Sequence, residues 1–140
     1  MNNYGPDKNL RIRWEWSHTI RIQPKQSVIY RFSFRADHEN AVIVYSLPDI
    51  KPLVERGNHS RSTEDWEFYN DCNETIEHLI TGWCKSTPPD AEEPWYHSPK
   101  YIHPSTEVTD VIGFADDQKR DTPPRDPDLF QNALVTVVYR

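Results

Sequence analysis

From Leu10 to Ile22 the chain reads LRIRWEWSHTIRI, with Leu10, Ile12, Trp14, Trp16, His18, Ile20 and Ile22 at alternate positions. Arg11, Arg13, Glu15, Ser17, Thr19 and Arg21 fill the positions between. A period of two predicts a strand with one face turned to a core. After QPKQS the alternation resumes in VIYRFSFRA, where Val28, Tyr30, Phe32, Phe34 and Ala36 stand opposite Ile29, Arg31, Ser33 and Arg35. DHEN supplies turn residues, and AVIVYSL predicts a third strand that Pro48 stops. Treated as a meander, the three strands place Ile20 opposite Tyr30, His18 opposite Phe32, Trp16 opposite Phe34 and Glu15 opposite Arg35.

The period then changes. In SRSTEDWEFYNDCNETIEHLITGW, Trp66, Tyr69, Cys72, Ile76, Leu79 or Ile80, and Trp83 recur every three or four residues. Ser62 with Asp65 resembles a capping box and Gly82 a stop signal, so the spacing predicts a helix over 63–81. Such a helix would hold Cys72 and Cys84 roughly 18 Å apart, beyond the ~7 Å that a disulfide spans. The expectation is therefore reduced thiols and an intracellular protein, or a secreted one should the two be bridged. Two glycosylation-type triplets, Asn58-His59-Ser60 and Asn73-Glu74-Thr75, are then read as coincidental, the second lying in mid-helix.

Beyond the helix, prolines accumulate. Residues 85–107 predict an irregular loop whose Trp95, Tyr96, Tyr101 and Ile102 need burial or a partner, and 115–128 a polar turn-rich segment. VTDVIGF predicts a short strand, and NALVTVVY a buried one at the end. The pattern as a whole gives one α+β domain over 1–140: a mainly antiparallel sheet, made of the N-terminal three-stranded meander and a C-terminal strand, packed on one amphipathic helix. The alternative is a β-sandwich or jelly roll in which the helix is a crossover.

Composition adds an asymmetry. The net charge is −6, yet up to Ala36 seven basic and two acidic side chains leave a balance of +5. In the meander, Arg11, Arg13, Arg21, Arg31 and Arg35 share the polar face. Guanidinium forks suit phosphate or carboxylate, so this face, with the aromatic loop Trp95, Tyr96 and Tyr101, predicts a non-catalytic module for an acidic protein or anionic ligand, self-association included. Nucleic acid is disfavoured by the net negative charge and the lack of a recognition motif. No apolar run reaches the roughly 20 residues of a membrane-spanning helix.

Catalytic chemistry has little footing. No Gly-x-Ser-x-Gly elbow or phosphate loop occurs, and four glycines leave few tight cradles. An enzyme or small-molecule carrier would use an aromatic pocket around His18, with Tyr30 and Tyr45 as partners. His97 and His103, with His78 or an aspartate, are the candidate metal ligands, and their spacing is not that of a zinc site. No cofactor is expected.

FSFRADHENAVIVYSLP resembles the central hairpin of actinoporin-type β-sandwiches, membrane-binding pore formers with lectin relatives in fungi. The likeness implies a sandwich that binds a glycan or a membrane surface. DIKPLVERG stands where that family carries an aromatic run, and the family's amphipathic N-terminal helix has no counterpart before Leu10.

Overall fold

The computed structural model describes residues 12–36, 39–59, 62–85, 95–115 and 130–140. A 3-10 turn, Trp14–Trp16, leads into β1 (His18–Ile22), β2 (Ser27–Phe34), β3 (Asn40–Ser46), β4 (Lys51–Gly57) and β5 (Trp66–Tyr69). β6 (Ile76–Lys85), β7 (Trp95–His97), β8 (Lys100–His103), β9 (Thr109–Phe114) and β10 (Ala133–Tyr139) follow. These strands form two five-stranded antiparallel sheets packed face to face. The first has the order β1-β6-β3-β4, with β7 also on β6; the second has the order β5-β2-β10-β9-β8.

The expected helix over 63–81 is absent, and the α+β class is corrected to an all-β sandwich. No α-helix occurs among the described residues, and none there is long and apolar enough to cross a membrane. The reason is β6, which is buried from His78 to Cys84 without interruption. Its His78, Ile80 and Gly82 face the other sheet, while Leu79, Thr81 and Trp83 face outward beneath a second cluster with Ala41, Ile43, Tyr45 and Trp95. A strand covered on both faces loses its alternation, and its apolar positions then mimic a helical stripe. Polar atoms of that outer cluster are satisfied locally: Trp83 Nε1–H donates to Thr81 Oγ1 at 2.7 Å, and that hydroxyl to Ile43 O at 2.9 Å.

The N-terminal meander is also corrected. β1 pairs with β6, His18 to Ile80 and Ile22 to Ile76, while β2 pairs with β10 and β5 in the opposite sheet. None of the four expected cross-strand pairs forms. The turn between β1 and β2 carries Lys25 at φ 63° and is held by the Asn70 side chain, so it crosses from one sheet to the other. The regular alternation of β2 and β10 holds as expected, with Val28, Tyr30 and Phe32 against Val135 and Val137 in the core. VTDVIGF forms β9.

Gly82 permits a close approach of the sheets. A Cβ there would fall 2.3 Å from Phe114 Cγ, so the aromatic ring occupies the space a side chain would need.

A candidate binding edge between β1 and β8

The edge of the sandwich where β1 lies near β8 gathers polar chemistry from several strands. It begins at the 3-10 turn. Trp14 is half exposed there, while Trp16 is buried with the Arg13 guanidinium 3.6 Å from its ring centroid. Arg13 also pairs with Glu15, Nη2 to Oε2 at 3.6 Å. Trp16 meets the His97 ring edge-on at 6.3 Å, and His97 packs on Trp83 at 4.6 Å. The turn that carries Trp14 is thereby anchored to β7 by edge-on and tilted ring contacts.

Hydrogen bonds secure the same junction. Ser17 Oγ lies 2.8 Å from Arg13 O and 3.1 Å from His97 Nε2, and His97 Nδ1 lies 3.0 Å from Ser98 O. Burial pushes the imidazole down to about 4, so it is neutral at physiological pH. A neutral ring donates Nδ1–H to Ser98 O, and the single Ser17 hydroxyl proton, given to Arg13 O, is shared with the unprotonated Nε2. A hydroxyl against an imidazole has the distance of a nucleophile and its base, but Ser17 and His97 are both buried and the hydroxyl also faces a carbonyl. The pair is a structural tie. Lys100 Nζ–H donates to Ser17 O and stitches the second sheet to the first.

Next along the edge stands half-buried His18. Its pKa is lowered by burial first and by the Lys100 charge second, with Asp110 partly offsetting them. Lys100 is itself shifted down by burial. Asp110 accepts a hydrogen bond from Tyr139 Oη at 2.5 Å, and burial followed by this bond raises the tyrosine. β1, β8, β9 and β10 thus supply an imidazole, an ammonium, a carboxylate and a phenol, all half-buried, and the turn that precedes β1 carries an exposed indole. Such a surface offers donors and acceptors to a hydroxylated ligand and a flat apolar face to its C–H groups.

The expected site residues are dispersed. Ile20 and Ile22 point into the core, so Arg21 lies on the outward face of the first sheet, beside Glu77. Tyr30 and Phe32 point inward from the other sheet, so Arg31 lies on the opposite outer surface, 3.5 Å from Asp65. Arg35 is exposed beyond the end of β2, Arg13 lies on Trp16, and Arg11 falls outside the described residues. No shared arginine face exists among the four described. The aromatic loop is likewise corrected: Trp95 is buried in β7, Tyr96 is half-buried beside it, and only Tyr101, in β8, is exposed. Residues 86–94 and 116–129 lie outside the description.

His18, Tyr30 and Tyr45 do not meet either. Tyr30 Oη bonds His78 Nδ1 at 2.6 Å inside the sandwich, and Tyr45 lies in the outer cluster of the first sheet, where burial raises it to about 12. The three histidines weighed as metal ligands are separated, His103 Nε2 donating to Phe130 O at 3.1 Å. Among the described residues no three His, Cys, Asp or Glu side chains group as a metal site. No disulfide joins Cys72, which is exposed, to Cys84, which is buried. Lys100, Asp110 and Tyr139 were not singled out in the sequence, because each is an ordinary polar residue whose neighbours come from distant strands.

No family model matches the sequence, and no curated protein resembles it in sequence. One solved structure shares its fold. The C-terminal domain of the BC2L-C lectin from Burkholderia cenocepacia superposes with a TM-score of 0.52, at 10% identity over 85% of this chain and 91% of that one. The high-affinity mannose-binding lectin of Ralstonia solanacearum gives a TM-score of 0.44, at 11% identity over 88% and 94%. The chain therefore has a β-sandwich fold of the kind seen in a bacterial lectin domain.

Proposed function

We propose that this chain is a small non-catalytic carbohydrate-binding module that takes a glycan along the β1–β8 edge. The observation that carries the reading is half-buried His18 within electrostatic reach of Lys100 and Asp110, on the strand that follows the anchored turn bearing exposed Trp14. The indole stacks on a sugar ring while the ammonium and carboxylate hydrogen-bond to hydroxyls, and little conformational freedom is lost because the turn is already fixed. The fold shared with a lectin domain is compatible with this use, although a fold alone assigns no ligand. An arginine-face partner has no support, since Arg21 and Arg31 lie on opposite outer surfaces.

The test is a glycan array followed by calorimetric titration of the sugars retained. Saturable binding that Trp14→Ala and Asp110→Asn each weaken supports the proposal. Retention of no sugar, or binding indifferent to both changes, sinks it.

A further inference from the structure

The loop between β5 and β6 presents Asn73-Glu74-Thr75 in a setting the sequence pattern does not suggest. Asn73 is exposed on a connection, not in a helix. The connection is braced beneath it. Asn70 Nδ2 donates to Ile22 O, Gln23 O and Glu74 O at 3.1, 3.1 and 2.8 Å, and its Oδ1 accepts Cys72 N–H at 3.0 Å. Lys25 Nζ–H donates to Asp71 O at 2.6 Å. These bonds hold the loop from its base and leave the Asn73 carboxamide outside them. Thr75 Oγ1 lies 3.3 Å from Gln23 Oε1 in an exposed contact, so its hydroxyl is not locked in the core.

The other triplet differs. Asn58 is half-buried, its Oδ1 accepting Asn40 N–H at 2.8 Å and its Nδ2 lying 3.4 Å from Ala36 O. A sugar on that nitrogen would displace a carboxamide that closes the start of β3, and the buried Asn40 amide would lose its acceptor.

We infer that Asn73 is an acceptor for N-linked oligosaccharide and that Asn58 is not. The donor is a polyprenyl-diphosphate-linked oligosaccharide, used by a membrane transferase. The Asn73 amide nitrogen forms the bond to the anomeric carbon and gives up one proton, while the bond from that carbon to the diphosphate oxygen breaks and the lipid diphosphate leaves. The site is independent of the proposed ligand edge: His18 opens β1, whereas Gln23, which contacts Thr75, follows its end. Five residues of strand place His18 and Gln23 roughly 16 Å apart.

The test is secretion of the whole chain, behind a cleavable leader, from a eukaryotic host that glycosylates asparagine, followed by intact mass of the folded product. One oligosaccharide, released by peptide N-glycosidase, absent from Asn73→Gln and retained in Ser60→Ala, is the expected result. Ser60→Ala removes the second triplet while keeping Asn58 in place. Folded, secreted protein with no oligosaccharide overturns the inference, as does an oligosaccharide that survives Asn73→Gln. A circular-dichroism melt of each variant identifies the folded material.

Discussion

Tyr30 and His78 are bonded across the interior of the sandwich, Oη to Nδ1 at 2.6 Å, and the second ring nitrogen of His78 has no hydrogen-bond partner among the described residues. Trp66 and Phe68 close around the imidazole, with centroids 6.2 and 4.5 Å away. An orphaned polar atom in such surroundings raises the energetic stakes of the one bond the ring does make.

Acid sensitivity follows from burial. His78 and His97 are both lowered to about 4, below the ordinary 6.5, so the unfolded chain takes up protons that the folded one refuses. Their contribution to stability is complete above pH 6.5 and declines as the pH falls from there toward 4. Each histidine accounts for about 3 kcal/mol over that window. Urea midpoints should hold between pH 7.5 and 6.5 and fall from there to pH 4.5; a flat profile would show that neither imidazole is held neutral.

Removing the phenol should expose the cost of the orphan. Tyr30→Phe leaves both His78 nitrogens unpaired and is expected to destabilise by about 1–3 kcal/mol. Because the two residues share one bond, Tyr30→Phe with His78→Leu should cost less than the sum of the single changes. Strict additivity in a denaturation cycle would contradict the bond.

Gly82→Ala puts a methyl group where Phe114 already stands. The expected loss is about 1–3 kcal/mol, the usual cost of overpacking. Phe114→Leu in the same chain should recover part of it, and a melting temperature unchanged by Gly82→Ala would show that the sheets can part there.

Trp14→Ala should separate binding from folding. The ring is 51% exposed, so stability should change by no more than about 0.5 kcal/mol. Sugar affinity should drop at least tenfold, a loss of about 1.4 kcal/mol of binding energy. Equal affinity of the variant and the parent in calorimetry would move the ligand elsewhere.

What could be read from the sequence depended on how each strand is covered. β2 and β10 each bury one face and show it by alternation, whereas β6 buries both and looks helical. The alternation of Trp14 and Trp16 overextended β1, because a 3-10 turn can likewise expose one ring and bury the other. β1 and β2, adjacent in sequence, do not pair but lie in different sheets, so the arginines of a local meander fall on different surfaces. His18 stood out as a histidine among apolar neighbours. Its companions Lys100 and Asp110 reach it only through long-range topology, which no local pattern records.

β6 is paired on one side by β3 and on the other by β1 and β7 laid end to end, with Ser98 N–H donating to Gly82 O at 2.9 Å in the space between. During synthesis β1 leaves the ribosome well before its partner β6, and β2 must wait longer still for β10. Both sheets consequently remain open until late strands arrive, an order of events in which non-local pairing slows folding and leaves early strand edges exposed.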